Sequence, residues 1–451
     1  MTKAKTRILI ISGLAGAVLL VSVIIGARIL AGRFEPYIRD QAIQYLKKRF
    51  DSDVELAALR VRLPNISPLK MVLHGGKGQL ARVEGEGLSL RHRRLKDDLP
   101  LFVMKRFSFD VDLGTLFGQS KIVPAVVIDG MDVNIPPKDE RPEFDSSESD
   151  QPETGVVIED VLITNSKLMI LPKEKGKKPL QFDLHQVHLR SAGKNVAMKY
   201  EATLTNAKPP GEIDSKGTFG PWAATEPGDT PLAGNYAFDN ADLGVFDGIA
   251  GILHSTGEFK GTLNSINVHG EASVPKFQLK SAGNAISLTT QFDVLVDGTN
   301  GNTILKPVVG RIGTTTFTTS GGVIKHEPSD HRMISLQVNI PNGSMRDILT
   351  LSMKGRPFME GRLSLNSKID IPPLNGKVKH KLRLEGQFEV SKARFLQSKL
   401  QHQIDTFSRR GQGRPEDEEI VDVASGIGGS FHLANEVFTF RSLSSPCPAP
   451  A

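Results

Sequence analysis

Cysteine is almost missing from this chain: the one present, Cys447, lies in the last five residues. An intramolecular disulfide and a cysteine-built metal site are therefore excluded. Aromatics are scarce at 6%, with a single Trp, so the apolar content is mostly Val, Ile and Leu. Charge of one sign is also lacking, since 56 Lys and Arg stand against 50 Asp and Glu, a net charge of +6. The charges alternate with apolar residues instead of forming a basic stripe, which argues against nucleic acid as a partner. Catalytic signatures are missing too. There is no Gly-x-Ser-x-Gly elbow, no phosphate loop ending in Lys-Ser/Thr and no His-Glu-x-x-His. No cofactor and no enzymatic activity are expected. His185 and His188 stand three apart, a spacing that puts them on opposite faces of a strand and does not favour a shared metal. Asp110 and Asp112 share a strand face, read as solvated in preference to a catalytic pair.

What is present begins with an uncharged run, Ile8 to Ala27, long enough as a helix to span a hydrocarbon core of about 30 Å. Ile8, Leu14, Leu20 and Ile25 are its anchoring residues. Lys3, Lys5 and Arg7 precede it and place the N-terminus in the cytoplasm by the positive-inside rule. A cleaved signal peptide is the competing reading, disfavoured by poor small-x-small sites. Phe34 to Phe50 reads as a helix with Pro36 in its first turn. Phe34, Tyr37, Ile38, Ala42, Tyr45 and Leu46 share its apolar face and Ile43 falls off it. The helix either packs on the first sheet or lies at the bilayer surface.

Beyond residue 50 apolar and polar residues alternate again and again. The apolar sets are Phe107, Phe109 and Val111; Leu288, Phe292, Val294 and Val296; Leu336 and Val338; Leu363 and Leu365; and Leu382, Leu384, Phe388 and Val390. Period two marks strands with one apolar and one wet face, and predicts a mainly β, mostly antiparallel body with a few short amphipathic helices. Candidate helices are Met345 to Met353, Asp242 to Leu253, and a segment carrying Leu396, Leu400, Ile404 and Phe407. Acid-rich Asp139 to Glu153 reads as a solvated loop, and Pro- and Gly-rich Lys208 to Pro231 as a linker. The expected organisation is an anchor (1–33), a helix plus β module (34–138), the acidic loop (139–154), a β module (155–207), the linker (208–231) and a C-terminal β region (232–451).

A pattern recurs within the β region. Gly386-Gln-Phe388-Glu-Val390 is followed by Phe395, and Gly429-Ser-Phe431-His-Leu433 by Phe438. Gly257-Glu-Phe259 and Gly217-Thr-Phe219 are shorter copies. Repeated strand units stack along one axis and join their apolar sides into one surface.

The flanked anchor, the Pro-Tyr-Ile-Arg helix start and the glycine-punctuated strands, above all Phe246 to Leu263 and Phe388 to Arg410, resemble the AsmA family (AsmA/TamB-like) of envelope proteins. The resemblance implies a bacterial inner-membrane protein with an elongated periplasmic β-groove that binds or conducts phospholipid in support of the outer membrane. The apolar residues above would then be lipid-facing. Its partners would be membrane lipids and the inner membrane, with outer-membrane or envelope proteins as further candidates. Ordinary sandwiches with dry cores use the same alternation, and a non-enzymatic scaffold or assembly factor acting through sheet edges is the alternative function. The ending Ser442 to Ala451 follows directly on an apparent strand, and a truncated or frameshifted terminus is the expectation there.

Overall fold

A computed structural model describes residues 52–62, 80–92, 99–112, 121–137, 156–172, 178–192, 197–221, 223, 226–280, 283–326, 331–374, 376–396 and 425–444, with helical positions 36, 39, 40, 43, 44, 46 and 47. The expected anchor, with Ile8, Leu14, Leu20 and Ile25 and the flanking Lys3, Lys5 and Arg7, lies outside these. So do the acidic loop from Asp139 to Glu153 and the helix expected after Leu396. Among the described residues no helix is long and apolar enough to cross a membrane. The chain divides into two compact units, Met1–Lys194 and Asn195–Ala451.

The first unit holds β1 (Ser52–Arg62), β2 (Leu80–His92), β3 (Phe102–Asp112), β4 (Lys121–Ile135), β5 (Val156–Ile170) and β6 (Leu180–Ala192). β1 to β4 form an antiparallel meander. β4 and β5 pair parallel, and β5 and β6 antiparallel. A parallel pair needs a return connection of a dozen residues or more. The acid-rich stretch falls in that connection. In β1, alternation sends Val54 and Leu56 inward, where Leu88, Leu90 and Met104 meet them. Ile43 and Leu46 of the preceding helix pack on this cluster. Arg39 Nη2 also donates to Leu56 O at 2.6 Å. The helix therefore covers the first sheet. Ile43 lies on its buried side, contrary to the expected face, because the sheet selects the side it can cover.

The second unit is a longer meander: β7 (Met198–Thr205), β8 (Glu212–Phe219), β9 (Pro231–Asp242), β10 (Ile249–Ala250), β11 (Ile252–Thr262), β12 (Ser265–Leu279), β13 (Ile286–Val296), β14 (Thr303–Ile312), β15 (Thr315–Lys325), β16 (Arg332–Ser344), β17 (Met359–Ile371), β18 (Arg383–Phe395), β19 (Ser425–Ala434) and β20 (Val437–Ser444). Each pairs antiparallel with the next, except that β9 pairs directly with β11 and two-residue β10 pairs with β12. Two expectations change here. The Lys208 to Pro231 stretch is not a linker, since β8 occupies its middle and pairs on both sides. Four of its prolines, Pro209, Pro210, Pro221 and Pro227, sit outside the strands and Pro231 takes the first position of β9, a place a strand tolerates. Asp242 to Leu253 is not a helix either: a 3-10 turn, Leu243–Val245, leads into β10 and β11, and its three glycines account for the weak helical tendency.

Met345–Ser352 is helix α1, as the spacing predicts. Its Leu349, with Met345, Ile348 and Met353, packs on Met359, Leu363, Val390 and Ala393. It also reaches the β12–β13 connection, where the Asn284 N–H donates to Thr350 O at 2.8 Å. A second tie runs farther. The N–H of Val378, in the β17–β18 connection, donates to Asp247 Oδ2 of the β9–β11 connection at 2.9 Å. Strands β12 to β16 lie between them. A twist of about 20–25° per strand accumulates over those steps to about 120–150°, which brings opposite strand ends toward one another.

Candidate functional site

Register and alternation together lay one apolar face across the second unit. One row runs Tyr200, Gly217, Gly234, Phe259, Val268, Val294 and Leu305, each directly opposite the next across the ladder. It continues through Gly321, Leu336, Ile369, Leu384 and Leu433 to Phe438 on β20. A neighbouring row runs from Met198 and Phe219 through Ile266 and Val296 to Ile334 and Ile371. Neither row contains a charged residue. The other face carries the ions, with Glu201 opposite Lys216, Lys368 opposite Glu385 and Asp370 opposite Arg383.

Most of this face is half-buried, as in the strict alternation of β13, where Leu288, Phe292, Val294 and Val296 are all in that state. A dry sandwich core would bury them. Deep burial belongs instead to residues such as Val274, Ile340, Leu363 and Val390, toward the end that α1 closes. Leu363 and Val390 are only 3% and 0% exposed beneath α1. They are core rather than ligand-facing, because an amphipathic helix covers them. Leu382 is no strand residue: it terminates the helical turn Val378–Lys381, half-buried just before β18. Leu336, Val338, Leu365, Leu384 and Phe388 keep their places on the half-buried face. Phe107, Phe109 and Val111 form a matching patch on β3 of the first unit, the two rings stacked with centroids 6.3 Å apart.

The Gly-x-Phe pattern now has a structural cause. Gly386 lies opposite Phe431, and Phe388 opposite Gly429, so the two repeat copies interlock as antiparallel neighbours. Gly85 with Phe107, Gly270 with Phe292 and Gly310 with Phe317 use the same pairing. A Cβ at Gly310 would lie 2.2 Å from Phe317 Cζ. Each ring lies where its partner has no side chain, which keeps the face smooth. The sequence shows every glycine and every ring; it does not show which strands they share.

Between β2 and β3 of the first unit, Arg82 grips Asp110 with both ends of its guanidinium, Nε to Oδ1 at 2.8 Å and Nη2 to Oδ2 at 3.0 Å. The hydrogen bond from Arg82 holds the Asp110 carboxyl below its ordinary value. The solvated-face reading of Asp110 thus becomes a cross-strand ion pair. His188 Nε2 stands 2.5 Å from Asp160 Oδ1. Among the described residues no group of three or more His, Cys, Asp or Glu is placed to hold a metal. A hollow of about 700 Å³ lies between β11 and β15, lined by Thr256, Glu271, Ser273, Thr289, Arg311 and Thr316. It lies on the polar side of the sheet. On the apolar side, burial of the phenols raises Tyr200 and Tyr236 above the usual tyrosine range, and their hydroxyls meet Ser215 and Ser255 at 3.0 and 3.1 Å.

Comparison with family models, with curated proteins and with solved structures returns no match to this chain.

Proposed function

We propose that this is an inner-membrane-anchored periplasmic protein of AsmA type that binds or conducts phospholipid along its apolar β face. The observation that carries the reading is the uncharged row crossing thirteen strands, β7 to β20 without β10, and left half-buried from β7 to β19. Such a surface requires a cover. Acyl chains supply one, each buried methylene contributing about 0.8 kcal/mol. The chain at positions 1–33 supports the anchor and its orientation through its uncharged run and preceding cations. The test is to purify the full chain in mild detergent and measure bound lipid by mass spectrometry, with a variant carrying Phe292→Asp and Val294→Asp. Bound phospholipid that falls in the folded variant is the expected result. A folded, monomeric, lipid-free protein would sink the reading.

A scaffold acting through a sheet edge is the second reading, favoured by one feature. Among the described residues β20 pairs only with β19, and all eight of its residues are exposed. Val437, Phe438, Phe440 and Leu443 are 59%, 48%, 54% and 60% exposed, as on an edge that accepts another strand. A stoichiometric protein partner in a lipid-free preparation is what this reading expects.

A further inference from the structure

At one end of the apolar face the β17–β18 connection carries an unusual run, Lys377-Val378-Lys379-His380-Lys381-Leu382-Arg383. Four permanent cations and a histidine fall within seven residues, folded partly as the one-turn helix Val378–Lys381. Lys377, Lys379, His380 and Arg383 are exposed, whereas Val378 and Leu382 are half-buried. The cations thus stand at a rim whose inner side is apolar, since Leu382 leads into Leu384 and the row through Ile369 and Leu433.

The acids nearby do not balance this charge. Glu436, in the β19–β20 turn, is shared between Lys379 at 3.5 Å and His380. Burial alone would raise Glu436; the His380 and Lys379 contacts outweigh it and hold the carboxyl below its ordinary value. Asp370 lies opposite Arg383 and is also bonded to Lys368 at 2.8 Å. Asp247 spends one oxygen on the Val378 N–H. That bond and the Lys381 Nζ bond to Leu374 O at 2.6 Å pin the turn in place. A fixed cation cluster beside an apolar surface matches the two halves of a phospholipid, an anionic head and its chains.

We propose that Lys377, Lys379 and His380 form a headgroup site that selects anionic phospholipids at the rim of the apolar face. The proposal rests on the lipid-binding reading above and adds a preference to it. The experiment loads the purified full chain from mixed micelles of phosphatidylglycerol and phosphatidylcholine with identical acyl chains, at equal amounts, and reads the bound ratio by native mass spectrometry. The wild type should be enriched in phosphatidylglycerol about threefold or more, less so as salt screens the cluster. Lys377→Gln with Lys379→Gln should bring the ratio close to one. Glu436→Gln, which removes a competing anion, should raise it. Circular dichroism confirms that each variant is folded.

An unchanged ratio in the double variant, or no preference in the wild type, overturns this proposal and leaves lipid binding intact. Absence of any lipid overturns both. Equal competition by inorganic phosphate at millimolar concentration would assign the cluster to free phosphate and also overturn it.

Discussion

Thr315 Oγ1 donates to Asp347 Oδ2 at 2.9 Å and at the same time accepts from the Ser344 N–H at 2.8 Å. Thr315 is 1% exposed, so this single hydroxyl joins the β14–β15 turn to the first turn of α1 in the interior. Thr314 adds its N–H and hydroxyl to the same carboxylate oxygen, at 2.8 and 2.7 Å. Thr315→Val leaves the half-buried Ser344 amide without its acceptor. The expected loss is about 1–3 kcal/mol of unfolding free energy, read as a lower midpoint in urea. An unchanged midpoint would mean that α1 docks by its apolar side alone.

Core and open face should respond oppositely to mutation. Leu363→Ala, beneath α1, removes methylenes from a closed cluster and should cost about 2–5 kcal/mol. Lipid bound per folded chain should stay as in wild type. Leu336→Asp, on the half-buried face and outside that cluster, should lower bound lipid with a smaller loss of stability. Lipid lost equally in both variants would show that α1 does not separate core from face.

The Arg82–Asp110 pair predicts a pH dependence of definite sign. The folded pKa of Asp110 lies below its ordinary value, because the Arg82 hydrogen bond favours the carboxylate. The pair therefore stabilises the fold above about pH 4 and loses that contribution as the pH falls through the folded pKa. Asp110→Asn should unfold at a lower denaturant concentration than wild type at neutral pH. Acidification should close the gap. Because Arg82 is largely exposed, salt should narrow it as well. A gap that persists at pH 2 would assign the effect to packing.

The strands were legible because alternation is a local property: each strand must send every second side chain to the same side, whatever its neighbours are. That is why β13 reads directly from Leu288, Phe292, Val294 and Val296, and why α1 reads from its own spacing. The Pro- and Gly-rich stretch around β8 misleads for the same local reason. Its turn residues are visible in composition, whereas the short strand between them is stabilised by two ladders, made with β7 and β9, that no feature inside the stretch reports. What separates Leu363 and Val390 from Leu365 and Phe388 is likewise invisible in a pattern where all four look alike, since the first two are sealed inside the cluster that α1 closes and the other two pack half-buried at its margin.

The sequence by itself determined the strands, their two unlike sides, the small helix and the glycines and rings of the repeat, since these follow from spacing along one chain. Only the tertiary structure decided which glycine receives which ring, which apolar residues are sealed and which stay half-open. It also set the meeting of Val378 with Asp247 across five intervening strands. Those outcomes depend on register and accumulated twist, which are sums over many pairings and are written in no single segment.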